Sequence, residues 1–144
     1  MSATAASPTK ITASSVTSLT QYAPYALSLL RFMAGLLFLE HGMAKILGFP
    51  PHGAMPVFPE IEFFAGCVEL IGGSLITVGL FTRIAALLTS GEMAIGYFLD
   101  HFPRSFFPLL NGGDAAVLYC FIFFYLIFSG GGPLSLDALV WRNR

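Results

Sequence analysis

Residues 24–47 read PYALSLLRFMAGLLFLEHGMAKIL. Twenty-four residues at ~1.5 Å of helical rise reach about 36 Å, and the hydrocarbon core of a bilayer is about 30 Å thick. The stretch therefore reads as a membrane-spanning helix. Three further stretches of about the same length and apolarity follow, at 61–81, 82–101 and 111–130. Together they predict an all-α, four-transmembrane-helix bundle. The prolines agree with these limits. All nine, at 8, 24, 50, 51, 56, 59, 103, 108 and 133, lie outside the span interiors. Proline inside a helix removes a backbone hydrogen bond that lipid cannot replace, whereas Pro24 sits where a first-turn proline is tolerated.

Composition leads the same way. The chain of 144 residues is 56% hydrophobic and 10% charged. A soluble domain carries roughly a quarter charged residues, so lipid must cover much of this surface. A net charge of −1 gives no reason to expect nucleic acid. Cys67 and Cys120 lie inside apolar runs, with neither disulfide nor metal spacing. They read as packing residues, with a redox pair as the sharper alternative. Residues 1–23 are rich in Ser, Thr and Ala and read as a flexible cytoplasmic tail. One membrane domain occupies 24–140, and 141–144 form a short C-terminal tail.

Connections are short. Gly79 can close the second span and Thr82 can cap the third, giving a tight hairpin. Residues 102–110 hold Phe102, Phe106 and Phe107 around Arg104, as an interfacial segment would. The end of the chain reads as a short amphipathic piece anchored by Trp141. Basic residues near the span ends set orientation. Lys10, Arg83, Arg142 and Arg144 fall on one side, and Lys45 and Arg104 on the other. This places both termini in the cytoplasm.

The spans carry charges that lipid does not tolerate cheaply: Arg31, Glu40, His41, Lys45, Glu69, Glu92 and Asp114. A charge at mid-bilayer costs at least ~2.5–3.5 kcal/mol, so these residues should face the bundle interior or a wet cavity. Counting helical rise from the outer ends puts Glu40, His41, Glu69 and Glu92 roughly 9–13 Å deep, with Asp114 and Lys45 nearer the mouth. Arg31 lies toward the inner end, within expected reach of Glu92. Glu62, Gly66, Glu69, Gly73 and Thr77 form one small, polar stripe, and Ala85, Thr89, Glu92 and Gly96 another; small residues let helices approach closely in lipid.

In order and spacing, several of these features resemble the DoxX family of small bacterial membrane proteins. They are Gly35-Leu36-Leu37-Phe38 leading to His41-Gly42 and Lys45, then Glu69 with Gly72-Gly73, Gly79-Leu80 and Thr82-Arg83-Ile84-Ala85-Ala86. Asn111-Gly112-Gly113-Asp114 and Gly132-Pro133-Leu134-Ser135-Leu136-Asp137 follow. Asp114 stands where the family more often carries Glu. The resemblance covers about 24–140 and implies a four-helix membrane bundle. It also implies a link to quinone-facing subunits of thiosulfate:quinone oxidoreductase, or to oxidative-stress complexes containing a sulfurtransferase and superoxide dismutase.

Glu40, His41, Glu69 and Glu92 are the expected catalytic set. Arg31, Lys45, Asn111 and Asp114 are expected to bind substrate or pair as ions. The functional reading is a proton-handling or quinone-head-group pocket; the structural one is ion pairing that sets helix register. His41 alone fits a satisfied interior histidine equally well. The sequence carries no flavin, haem or iron–sulfur motif, so no cofactor is expected to be intrinsic and quinone is the candidate ligand. Electrons would then come from a soluble or peripheral redox protein. A homo-oligomer is compatible with the sequence. The reading is an inner-membrane subunit or anchor of a redox system; a non-catalytic scaffold and a small transporter are the alternatives.

Overall fold

The computed structural model describes residues 19–53, 55–58 and 60–141. Most of the N-terminal tail, with Lys10, lies outside these residues, as do Arg142 and Arg144. Among the described residues the chain is all-helical and has no strand. The helices are α1 (Ala23–Leu47), α2 (Ile61–Val78), α3 (Thr82–Gly96), α4 (Pro108–Asn111), α5 (Asp114–Ser129) and α6 (Leu136–Val140). A π-helical turn, Tyr97–His101, continues α3 without a break.

Two helices, α1 and α2, are long and apolar enough to cross a membrane. α5 is a shorter apolar helix. The second predicted span is three residues too long, because Gly79 takes a left-handed conformation (φ 71°) and stops α2 at Val78. Large apolar side chains point outward along every long helix, among them Leu29 and Phe32, Ile71, Ile84, and Phe121 and Phe124. Exposed apolar surface on this scale marks a surface not made for water.

α1 packs on α2, α2 on α3, and α3 on α5. Glycines bring α1 and α2 together. A Cβ on Gly42 would run into the Leu70 backbone, and one on Gly73 would lie 2.7 Å from the Leu39 backbone. Gly35 meets Thr77, and Gly66 meets Lys45 and Ile46. The small-residue stripe read on the second span is thus a seam against α1. The core above and below this seam joins Phe38, Ile76, Ala85, Ala86, Phe123 and Leu126. Phe38 meets Phe123 edge-on, with ring centroids 4.9 Å apart.

At one end of the bundle the residues after α5 fold back over the α2–α3 turn. Arg31, predicted to reach toward Glu92, is buried here instead. Its Nε donates to Gly131 O (2.9 Å), its Nη1 to Ile76 O and Thr77 O (both 2.6 Å), and its Nη2 to Leu134 O (2.7 Å). The guanidinium thereby caps the carbonyl end of α2, where orphan acceptors and negative partial charge collect.

Thr82 does not cap α3. The Asp137 carboxylate does, accepting from Phe81 N–H at 2.7 Å and Thr82 N–H at 2.8 Å, while Thr82 Oγ1 has no partner. Phe81 is held in a left-handed conformation (φ 50°) that a non-glycine residue seldom adopts. Its bound N–H and the Trp141 ring, 5.4 Å from its own, hold it there.

Candidate functional site

At the opposite end residues of α1, α2, α3 and α5 line a cavity of about 990 Å³. Its walls are mostly apolar, with Phe38, Val68, Leu87, Leu88, Met93 and Leu99 among them. Four of the eight predicted site residues line it: His41 and Lys45 from α1, Glu69 from α2 and Glu92 from α3. Toward the exposed mouth come His52, Asp100 and Arg104.

Glu69 is 2% exposed. Its Oε1 accepts from Lys45 Nζ at 2.7 Å, the one ion pair among the described residues. Counting helical rise placed Lys45 well above Glu69. The glycine seam explains how they meet: Gly66 packs against the Lys45 stem, and the long side chain reaches one turn deeper to the carboxylate. Lys45 remains one-third exposed. Its ammonium has three donors, so two stay available. The other Glu69 oxygen, Oε2, is buried without a hydrogen-bond partner, as is Glu92 Oε2. Both oxygens are enclosed beside the cavity rather than open to it, at positions where acceptors are nearly always satisfied.

His41 lies on the same wall. Its Nδ1 is 2.8 Å from Leu37 O, and since a carbonyl only accepts, Nδ1 carries the proton. In the neutral ring Nε2 is then an acceptor. Tyr119 of α5 closes the cavity, its ring 6.0 Å from that of His41 and stacked on Phe123 at 5.7 Å.

The other four candidates stand elsewhere. Arg31 belongs to the far end of the bundle. Glu40 is exposed and not on the cavity wall, so the predicted level of three acids reduces to two. Asn111 is buried and serves the backbone: Nδ2 donates to Ser105 O (2.8 Å) and Tyr97 Oη (3.3 Å), and Oδ1 accepts from Gly113 N–H (2.7 Å). Asp114 is exposed in the first turn of α5, where its charge suits the helix dipole. Cys67 and Cys120 are free thiols; Ser90 Oγ donates to Cys120 O at 2.9 Å, tying α3 to α5.

The sequence reading missed Tyr119. Ala116, Tyr119, Phe123 and Leu126 recur at three- and four-residue spacing, which marks the inward face of α5. In a helix apolar all round, that stripe was hidden among outward Phe residues.

Long apolar helices wrapped in exposed apolar side chains, around a cavity with buried charges, define a small all-α membrane protein. The chain belongs to the DoxX family, whose model matches residues 26–101. An uncharacterized protein of Haemophilus influenzae is 41% identical over 131 residues, covering 87% of this chain and 98% of the relative. The Bacillus subtilis protein described as "Putative oxidoreductase CatD" is 28% identical over 122 residues, covering 81% and 87%. A second uncharacterized Haemophilus influenzae protein is 29% identical over 126 residues, covering 80% and 83%. No solved structure matches the chain.

Proposed function

We propose that this chain is the inner-membrane subunit or anchor of a redox system and holds a quinone head group in the cavity between His41, Lys45, Glu69 and Glu92. The observation that carries this reading is the Lys45–Glu69 pair beside His41 and Glu92 on the wall of a mainly apolar cavity. Small-molecule pockets are mainly apolar, with a few convergent polar groups, and run to roughly 300–1,000 Å³; this cavity lies at the upper end. Lys45 offers donors to a carbonyl oxygen. His41 Nε2 offers an acceptor, and proton exchange with a positioned side chain is general acid–base chemistry. A bound quinone would supply the electron chemistry. The chain's part is to hold the ring, exclude lipid and water from it and exchange protons at these atoms. The oxidoreductase name of the CatD relative agrees with this reading.

In the same reading the chain crosses the membrane four times with both ends in the cytoplasm. α3 and its π-helical continuation (residues 82–101) form the third span, and α5 with the turns around it forms the fourth. The cavity mouth then faces outward, and a soluble or peripheral redox protein docks from one side to exchange electrons. Because the cavity reaches the exposed residues His52, Asp100 and Arg104, a small transporter is the second reading; solute uptake by reconstituted liposomes separates the two. Photolabelling with an azidoquinone, mapped to peptides, tests the quinone site itself.

A further inference from the structure

We infer that a quinone enters this cavity sideways from the lipid, between α2 and α3, and that its apolar tail rests in that gap while its head lies against His41 and Lys45. This rests on the quinone-site reading above and adds to it the route of entry and the ligand class, a long-tailed quinone dissolved in the membrane.

α2 and α3 meet near their shared turn, where a Cβ on Gly72 would run into the Thr89 side chain. Helical spacing carries this face of α2 back through Val68, Ala65 and Ile61, and this face of α3 on through Glu92, Gly96 and Leu99. Helices in continued contact would cover these two stripes with each other. All six residues line the cavity instead. A Cβ on Gly96, about two turns beyond Thr89, would meet nothing within 4 Å. The cavity therefore lies between the stripes.

The gap opens to the side. Ile61 on α2 and Leu88, Ile95 and Leu99 on the third span line the cavity, yet they are 54–62% exposed. From Leu88 to Leu99 the helix rises roughly 16 Å, about half the thickness of the hydrocarbon core. The surface outside the gap is thus lipid. Of the gap-lining side chains named, only Glu92 ionises, and its Oε2 is enclosed. The other polar groups stand apart from the gap. His41, Lys45 and Tyr119 line the cavity from α1 and α5, and Glu69 is tied to Lys45. His52, Glu62, Asp100 and Arg104 are exposed and belong to the mouth. A tail leaving by that charged mouth would be pushed toward water, at roughly a factor of four in affinity per methylene. The gap keeps it in apolar surroundings.

The test uses the full chain in lipid nanodiscs. An azidoquinone marks the head site, and two competitors share one benzoquinone head, one with a decyl tail and one without. Their concentrations are those measured in the bilayer. Both should suppress labelling of the wild type. Gly96→Phe, which fills the gap, should weaken the decyl quinone at least about tenfold relative to the tail-less one. Ala65→Phe fills the gap from α2 and serves if the first variant does not fold. A decyl quinone with a diazirine at mid-tail should mark residues 61–68 and 88–99, and excess decyl quinone should suppress those adducts. Equal competition by the two quinones in the filled variants, or mid-tail adducts on the mouth segments 50–58 and 102–107 instead, overturns the inference and leaves the quinone site standing. Gap adducts that excess quinone does not suppress mark ordinary lipid there and overturn it likewise. Wild-type labelling that neither competitor suppresses overturns both.

Discussion

Arg31 shows how one residue can be right in kind and wrong in place. An arginine within a membrane span needs partners, and from sequence an acid is the natural candidate. The structure supplies four backbone carbonyls instead, from α2 and from the segment after α5. Planar, rigidly forked donors suit that arrangement, and the point-like ammonium of lysine does not. Arg31→Ala should therefore destabilise the protein by more than about 3 kcal/mol, read as a large fall in Tm in mild detergent, and Arg31→Lys should recover little of it. A Tm within a degree or two of wild type would show that the C-terminal segment is not clasped by this side chain. Charged residues in the spans were legible as inward-facing wherever a small-residue stripe accompanied them, as with Glu69. Glu40 had no such stripe, and it faces out.

Among the elements, the α1–α2 hairpin is the firmest. Its seam was half legible: Gly66 and Gly73 fall on one face of α2 by spacing alone. Gly35 and Gly42 are the reciprocal pair, seven residues apart on α1, and only the packed structure shows them touching the opposite backbone. Gly42→Ala should separate the helices and lower stability, since its Cβ meets main-chain atoms that cannot move aside. Gly91→Ala is the matched control. Nothing lies within 4 Å of its added Cβ, and alanine is the better helix former by about 1 kcal/mol. Thermal unfolding of the two variants should move in opposite directions; equal behaviour would remove the seam from the account. The C-terminal motif 132–137 was legible as a pattern without a reason. Its reason is long-range, because Asp137 caps a helix that begins 55 residues earlier, and no local rule links such positions.

For the whole molecule, composition and span length reveal an all-α membrane protein because lipid imposes the same requirement on every turn of helix. Topology is subtler, since it depends on a few basic residues at the span ends. Reporter fusions at the two termini should both be active in the cytoplasm. Activity on opposite sides would replace four crossings with an odd number. The cavity was legible only as a level of charges. Its walls, Tyr119 among them, combine residues of four helices far apart in the sequence, which no local pattern brings together. The most direct measurement for the central claim is peptide mapping after photolabelling with an azidoquinone in native-like lipid. The expected adducts fall on the cavity-lining stretches of α2 and α3, around Glu69 and Glu92, and excess unlabelled quinone suppresses them. Adducts spread over the lipid-facing Phe121 and Phe124 surface, untouched by competition, would contradict a quinone site in this cavity.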